Sequence, residues 1–249
     1  MRELGTCVGG ISREHLISES IILLLKADGD FTISGLPWLA EGEAKVLGPK
    51  ALTANCLCEK HNSALSPLDS AALYFFSALK SCLDKVATSP HFLVSGHDVE
   101  RWLLKTVKAM ATSGNLARGR ERLSGAFTTD VAALEMLDDP SAWPEGAGLY
   151  CVMNSGDLTE NNSRFQLQPY TTAQDEICGL AASLLGLVFV LMLDPREVAQ
   201  VSGLSPQNFR PGEISVSYPG FVSRITLSWN DNNTHRPLSL QYLRDVPRR

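Results

Sequence analysis

An α+β fold is what this 249-residue chain predicts, with helices gathered in its first half and strands in its second. Three observations carry that expectation. Apolar residues recur at helical spacing as far as Ser113-Gly114-Asn115. From Gly148 onward the period falls to two, as in strands with one buried face. Between them lies a polar stretch, first basic and then acidic, that carries one short helical pattern.

The amino-terminal residues predict a turn-rich start, with Cys7-Val-Gly-Gly10 as a compact turn, and then a helix. Leu16, Ile17, Ile21, Ile22 and Leu25 form its apolar face, and Gly29 suits its end. Phe31-Thr-Ile-Ser34 and Lys45-Val-Leu47 read as two short strands flanking a turn at Gly35-Leu-Pro-Trp38. Ser66-Pro67 opens the next helix, because proline is tolerated in a first turn; Leu68, Ala72, Phe75, Phe76, Leu79, Leu83 and Val86 share one face. After an extended His91-Phe-Leu-Val94, Asp98 suits the cap of a helix with Trp102, Leu103, Val107 and Met110 inward. Arg101, Lys105 and Lys108 face outward in that register. A helix over 129–137 follows. Strands are expected at 149–153, 165–168, 186–193, 214–217, 223–229 and 238–242, joined by turns into a mostly antiparallel sheet.

Composition narrows the class. Apolar content of 44% with 20% charged residues is that of an ordinary globular protein. The first twenty residues are too charged for a secretory leader. The most apolar run, 178–193, is short for a membrane span and reads as a buried strand pair or core helix. Six cysteines without a leader point to a reducing, cytoplasmic setting, where clustered cysteines more often mean metal than disulfide. Cys82, Cys151 and Cys178 stand alone in apolar surroundings as core filler. A net charge of −5 argues against nucleic-acid binding by bulk electrostatics. Locally, Arg101, Lys105, Lys108, Arg118, Arg120 and Arg122 make a basic stripe that could contact phosphate, and a solvated helix face accounts for it equally well.

The densest chemistry lies between Leu52 and Asp69. Cys58-x-x-His61 has the spacing of a metal knuckle, with Cys7 as its upstream partner and Cys56 or His15 available to complete a set. The alternative is a buried thiol beside a surface histidine. No Walker loop, dinucleotide fingerprint or nucleophile elbow is present.

Glu14-His15-Leu-Ile17, followed by Cys58-Glu-Lys-His61-Asn62 and a helix, resembles the frame of the HNH endonucleases. Their hairpin-and-helix unit is the ββα-metal fold, related to the treble clef. The resemblance covers roughly residues 5–75. Longer stretches, including Ser34-Gly-Leu-Pro-Trp38 and His61 to Asp69, resemble a group of uncharacterised bacterial proteins and imply no activity. The HNH resemblance implies metal-dependent hydrolysis of DNA or RNA. It makes His15 the general base, Glu14 and Asn62 the ligands of one Mg²⁺ or Mn²⁺, and Asn55 the loop asparagine that orients the base. It also implies a structural Zn²⁺ at Cys7, Cys58 and His61. Gly10 stands where the first knuckle would have its second cysteine, the second pair is Cys/His, and the acid is Glu rather than Asp. These departures allow a second function, a non-catalytic, zinc-supported binding module. The division that follows is an HNH-like module and its helix over 1–90, a partly basic helical connector over 91–147, and a β-rich unit over 148–249. No membrane partner is expected, and nucleic acid is.

Overall fold

A computed structural model describes residues 5–26, 32–40, 43–46, 48, 52–84, 88–118, 121–123, 127, 131–159 and 165–242. In chain order its elements are β1 (Ile11–His15), α1 (Glu19–Lys26), β2 (Thr32–Ser34), β3 (Ala44–Val46), β4 (Thr53–Cys58), α2 (Glu59–Leu83), β5 (His91–Ser95) and α3 (Gly96–Thr112). There follow β6 (Ala117–Arg118), β7 (Glu121–Arg122), α4 (Val131–Asp138), β8 (Gly148–Cys151), β9 (Leu158–Thr159), β10 (Phe165–Thr171), β11 (Ile177–Leu184) and β12 (Leu187–Met192). The last three strands are β13 (Glu213–Tyr218), β14 (Phe221–Ser228) and β15 (Pro237–Tyr242). The α+β class is thus observed.

The amino-terminal unit is an antiparallel β1–β4 pair that runs straight into α2. Its ladder slips between Ser12 and Arg13, so Ser12 pairs with Leu57, Arg13 with Asn55, and Cys56 is the extra residue of a bulge. The inserted segment forms α1 and the small β2–β3 hairpin.

The helix expected to open near Pro67 begins eight residues earlier, at Glu59, and carries Pro67 inside it. Proline cannot donate to the carbonyl four residues back. The Ser66 hydroxyl donates to that carbonyl, Ser63 O, at 3.0 Å instead. The cap of α3 also differs from expectation: Ser95 Oγ accepts from Asp98 N, and Asp98 pairs with Arg101.

The second half departs from a mostly antiparallel arrangement. One four-stranded sheet, β10-β11-β12-β8, is antiparallel throughout. Its β11–β12 hairpin is the strand-pair reading of the apolar run 178–193, turned by Leu185 and Gly186, both at positive φ. The five-stranded sheet, β5-β14-β13-β15-β9, is mixed: β5–β14, β13–β15 and β15–β9 are parallel, and β13–β14 alone is antiparallel. Crossing connections bring β5 and β9 in from far along the chain, so alternation within strands cannot reveal the pairing direction.

α2 and α3 pack between these sheets. Phe75 meets Phe189 and Phe76 meets Phe165, at centroid distances of 5.6 and 5.8 Å, and Phe76 also stacks edge-on against Trp102. The apolar core runs without interruption from Leu16 to Leu240, across the borders expected at 90/91 and 147/148. Among the described residues no helix is long and apolar enough to cross a membrane.

Candidate functional site

Two sites flank the start of α2. On one side, the loop Thr6–Gly10 lies against the first turn of the helix, held by Glu59 N to Gly10 O (3.0 Å) and Lys60 N to Val8 O (3.3 Å). Gly9 has φ +82, a conformation that favours glycine, and a Cβ there would also press on Glu59, 3.0 Å from its Cβ. The contact brings Cys7 to Cys58 and His61. His61 Nδ1 lies 3.1 Å from Cys58 Sγ and 3.6 Å from Cys7 Sγ, and the three donor atoms fall within 4.8 Å of one another.

Backbone N–H groups of His61, Val8 and Lys60 converge on Cys58 Sγ and pull its thiol below the ordinary range, that of His61 most strongly. Burial lowers the His61 pKa and favours the neutral imidazole a metal needs. Thr6 Oγ1 sits 3.0 Å from His61 Nε2 and fixes the ring with Nδ1 toward the sulfurs. Two cysteine sulfurs and an imidazole at these separations are close enough to hold one metal ion. Cys56 does not join them. The bulge sends it toward Glu14 and Lys105, where burial first and the Glu14 charge second push its thiol up to about 11.

On the other side of the same turn is an open cleft of about 430 Å³. Glu14 and His15 reach it from the end of β1, Ser18 and Glu19 from the start of α1, and Asn62 and Asp69 from positions about two turns apart on α2. The sequence-predicted triad Glu14, His15 and Asn62 therefore shares one cavity. His15 Nε2 is shielded from solvent, has no hydrogen-bond partner among the described residues, and lies 3.7 Å from Glu19 Oε2. Asn55, expected as the orienting asparagine, is exposed on β4 and does not line the cleft.

Behind the cleft, Lys105 of α3 places its ammonium 2.5 Å from Glu14 Oε1 and 2.6 Å from Asp69 Oδ2. Asp69 also accepts from the Ser18 hydroxyl and from Trp102 Nε1 (3.2 Å). Burial raises the Glu14 pKa above the ordinary carboxylate range, against the opposing pull of Lys105. Asp69, Ser18 and Lys105 belong to this site by position, yet their spacing along the chain makes no motif.

The basic stripe is not the outward face expected. Lys105 is buried in the ion pairs just described. Lys108 is buried too, donating to Phe127 O at 2.6 Å and lying over the Phe127 ring. The Arg101 guanidinium caps the end of α4 through Leu137 O and Asp138 O. These three cations are committed within the protein because α3 is covered on nearly all sides, which a helix-face pattern does not disclose. Arg122 is exposed on β7. Arg120 and the Arg118 side chain lie outside the described residues.

In comparisons with protein-family models, with curated proteins and with solved structures, nothing matches this chain.

Proposed function

We propose that this chain is a divalent-metal-dependent hydrolase of nucleic-acid phosphodiester bonds, built on an HNH-like ββα frame. The observation that carries the proposal is the convergence of Glu14, His15, Asn62 and Asp69 on one open cleft beside the β1–β4–α2 unit. Two carboxylates and an amide oxygen are hard donors suited to Mg²⁺ or Mn²⁺. The ammonium already lodged between Glu14 and Asp69 stands in for a cation there. Glu14, Asn62 and Asp69 would hold the ion, which when bound supplies charge stabilisation to the transferring phosphoryl group and its leaving oxygen.

The remaining work falls to the chain's own side chains. His15 takes the proton from the attacking water, a role for which imidazole is suited near neutral pH. Glu19, next to Nε2, stabilises the imidazolium that forms. Arg13, on the cleft wall, is placed to meet a flanking phosphate. The Cys7, Cys58 and His61 cluster would hold a zinc ion, which would pin the amino-terminal loop to α2 beside Asn62.

The test is cleavage of supercoiled plasmid and of labelled RNA with Mg²⁺ or Mn²⁺, using wild type and His15→Ala matched for folding by circular dichroism. The expected result is cleavage by wild type with a loss of about 10²–10⁴-fold in the variant. No cleavage by folded wild type, or equal cleavage by both, contradicts the proposal. Lys105 favours a second function, a zinc-supported binding module without catalysis, because its ammonium engages the carboxylates that a metal would need. Under that alternative zinc stabilises the fold and neither protein cleaves.

A further inference from the structure

We infer that Lys105 is a built-in competitor for the divalent cation of the cleft, so that metal loads only when its ammonium gives way. The inference rests on the proposed metal-dependent function for its biological meaning, and on geometry for its substance. Lys105 is 4% exposed, and its Nζ lies within 2.6 Å of an oxygen of each carboxylate. With both carboxyls ionised, the trio carries a net single negative charge, Glu14 and Lys105 being buried and Asp69 partly open to the cleft. Removing the ammonium leaves two negative charges, which one divalent ion neutralises.

The seat keeps its shape without the lysine. Asp69 is anchored by Ser18 and by the Trp102 indole, neither of which depends on Lys105. Trp102 is itself fixed by its second contact, Nε1 to Ser18 Oγ at 3.0 Å, and by stacking on Phe76. Glu14 is held by the β1–β4 ladder, opposite Ala54. The competitor is a lysine, a point charge on a flexible stem, and not an arginine whose planar fork would lock both carboxylates. Metal loading requires its stem to rotate away from the two carboxylates. Groups facing the seat are Glu14, Asp69, Lys105, Ser18, Trp102 and Cys56, with His15, Glu19 and Asn62 on the open side.

Trp102 supplies the probe, since its indole touches Asp69 and would sensitise Tb³⁺ bound there. Tryptophan-excited Tb³⁺ emission is measured on the full chain for wild type, Lys105→Met and Lys105→Met/Asp69→Asn. One Tb³⁺ per chain is expected in Lys105→Met, bound about tenfold or more tighter than in wild type, displaced by Mn²⁺, and lost in the double variant. Equal affinity in wild type and Lys105→Met, or emission that survives Asp69→Asn, overturns the inference. A second measurement needs no variant: amine labelling of Lys105 followed by mass spectrometry, with and without saturating Mn²⁺. Lys105 is expected to be protected without metal and labelled with it, and protection unchanged by Mn²⁺ overturns the inference. Neither readout involves cleavage. A protein that binds Tb³⁺ as described but cuts nothing removes the hydrolase function and leaves the competition in place.

Discussion

Glu100 on α3 is fully buried and yet fully partnered. It accepts from Arg210 Nε at 2.9 Å and Nη2 at 3.1 Å and from Leu149 N at 2.7 Å, with His97 Nδ1 at 3.2 Å. Arg210 reaches on to Asp231 Oδ2 at 2.7 Å, and the other oxygen of Asp231 meets His235 at 2.7 Å. A buried pair of this kind adds little over an apolar substitute, but breaking it strands a charge. Glu100→Ala should therefore cost about 3–5 kcal/mol, read as a lower urea midpoint. A loss below about 1 kcal/mol would mean that Arg210 finds another partner. Burial pushes Asp231 upward, but the Asn233 N–H, His235 and Arg210 outweigh it and hold the carboxyl at about 2. A carboxyl depressed in the folded state adds stability above its unfolded pKa near 4 and loses it as pH falls through the folded value. Thermal melts should thus show stability falling between about pH 4 and 2. Asp231→Asn should flatten that limb, and a limb unchanged in the variant would count against the assignment. None of this network was legible in the sequence: Glu100 and Arg210 are 110 positions apart, and Glu100 resembles any charge on an amphipathic helix.

At the scale of elements, the close fit of helix starts to their neighbours decides what each site can do. A Cβ on Gly96 would fall 2.5–2.6 Å from three ring atoms of Trp229. Gly96→Ala should cost about 1–3 kcal/mol by overpacking, measured by denaturant melts, even though alanine favours helix. A neutral or stabilised variant would show that the Trp229 ring has room to move. The β1–β4–α2 unit makes a second prediction. Zinc should raise the melting temperature of wild type, EDTA should lower it, and Cys7→Ser should lose most of the zinc response. An identical response in the variant would exclude Cys7 as a ligand. Only part of each site could be picked from sequence: Glu14-His15 and Cys58-x-x-His61-Asn62 are compact signals, whereas Ser18, Asp69 and Lys105 form no motif. What separated them into two sites could not be. The bulge that turns Cys56 away, the early start of α2, and the lysine arriving from α3 all depend on tertiary pairing.

For the whole molecule, the division expected at 90/91 and 147/148 meets a core that crosses both borders and a sheet that crosses the second. β5 pairs in parallel with β14, over 130 positions away, and Tyr218 of β13 donates its hydroxyl to Cys82 O on α2. A fragment of residues 1–90 would expose the faces of α2 that Phe75 and Phe76 present to the second half. It should bind the dye ANS and lack a cooperative transition, whereas the full chain should melt in one step. A fragment 1–90 with its own sharp transition would support the division. Period-two alternation was enough to reveal most strands of the second half. It was silent on their order, because parallel and antiparallel neighbours bury the same alternate residues. The shared frame holds β1, α1 and α2 around the cleft, and the function proposed for that cleft turns on one proton transfer. Imidazole rescue of His15→Ala reports on it most directly, with Mn²⁺-dependent cleavage as the readout. Added imidazole should restore a measurable part of the lost rate to His15→Ala and leave wild type unchanged; wild-type inactivity, or full activity of the variant without imidazole, would contradict the account.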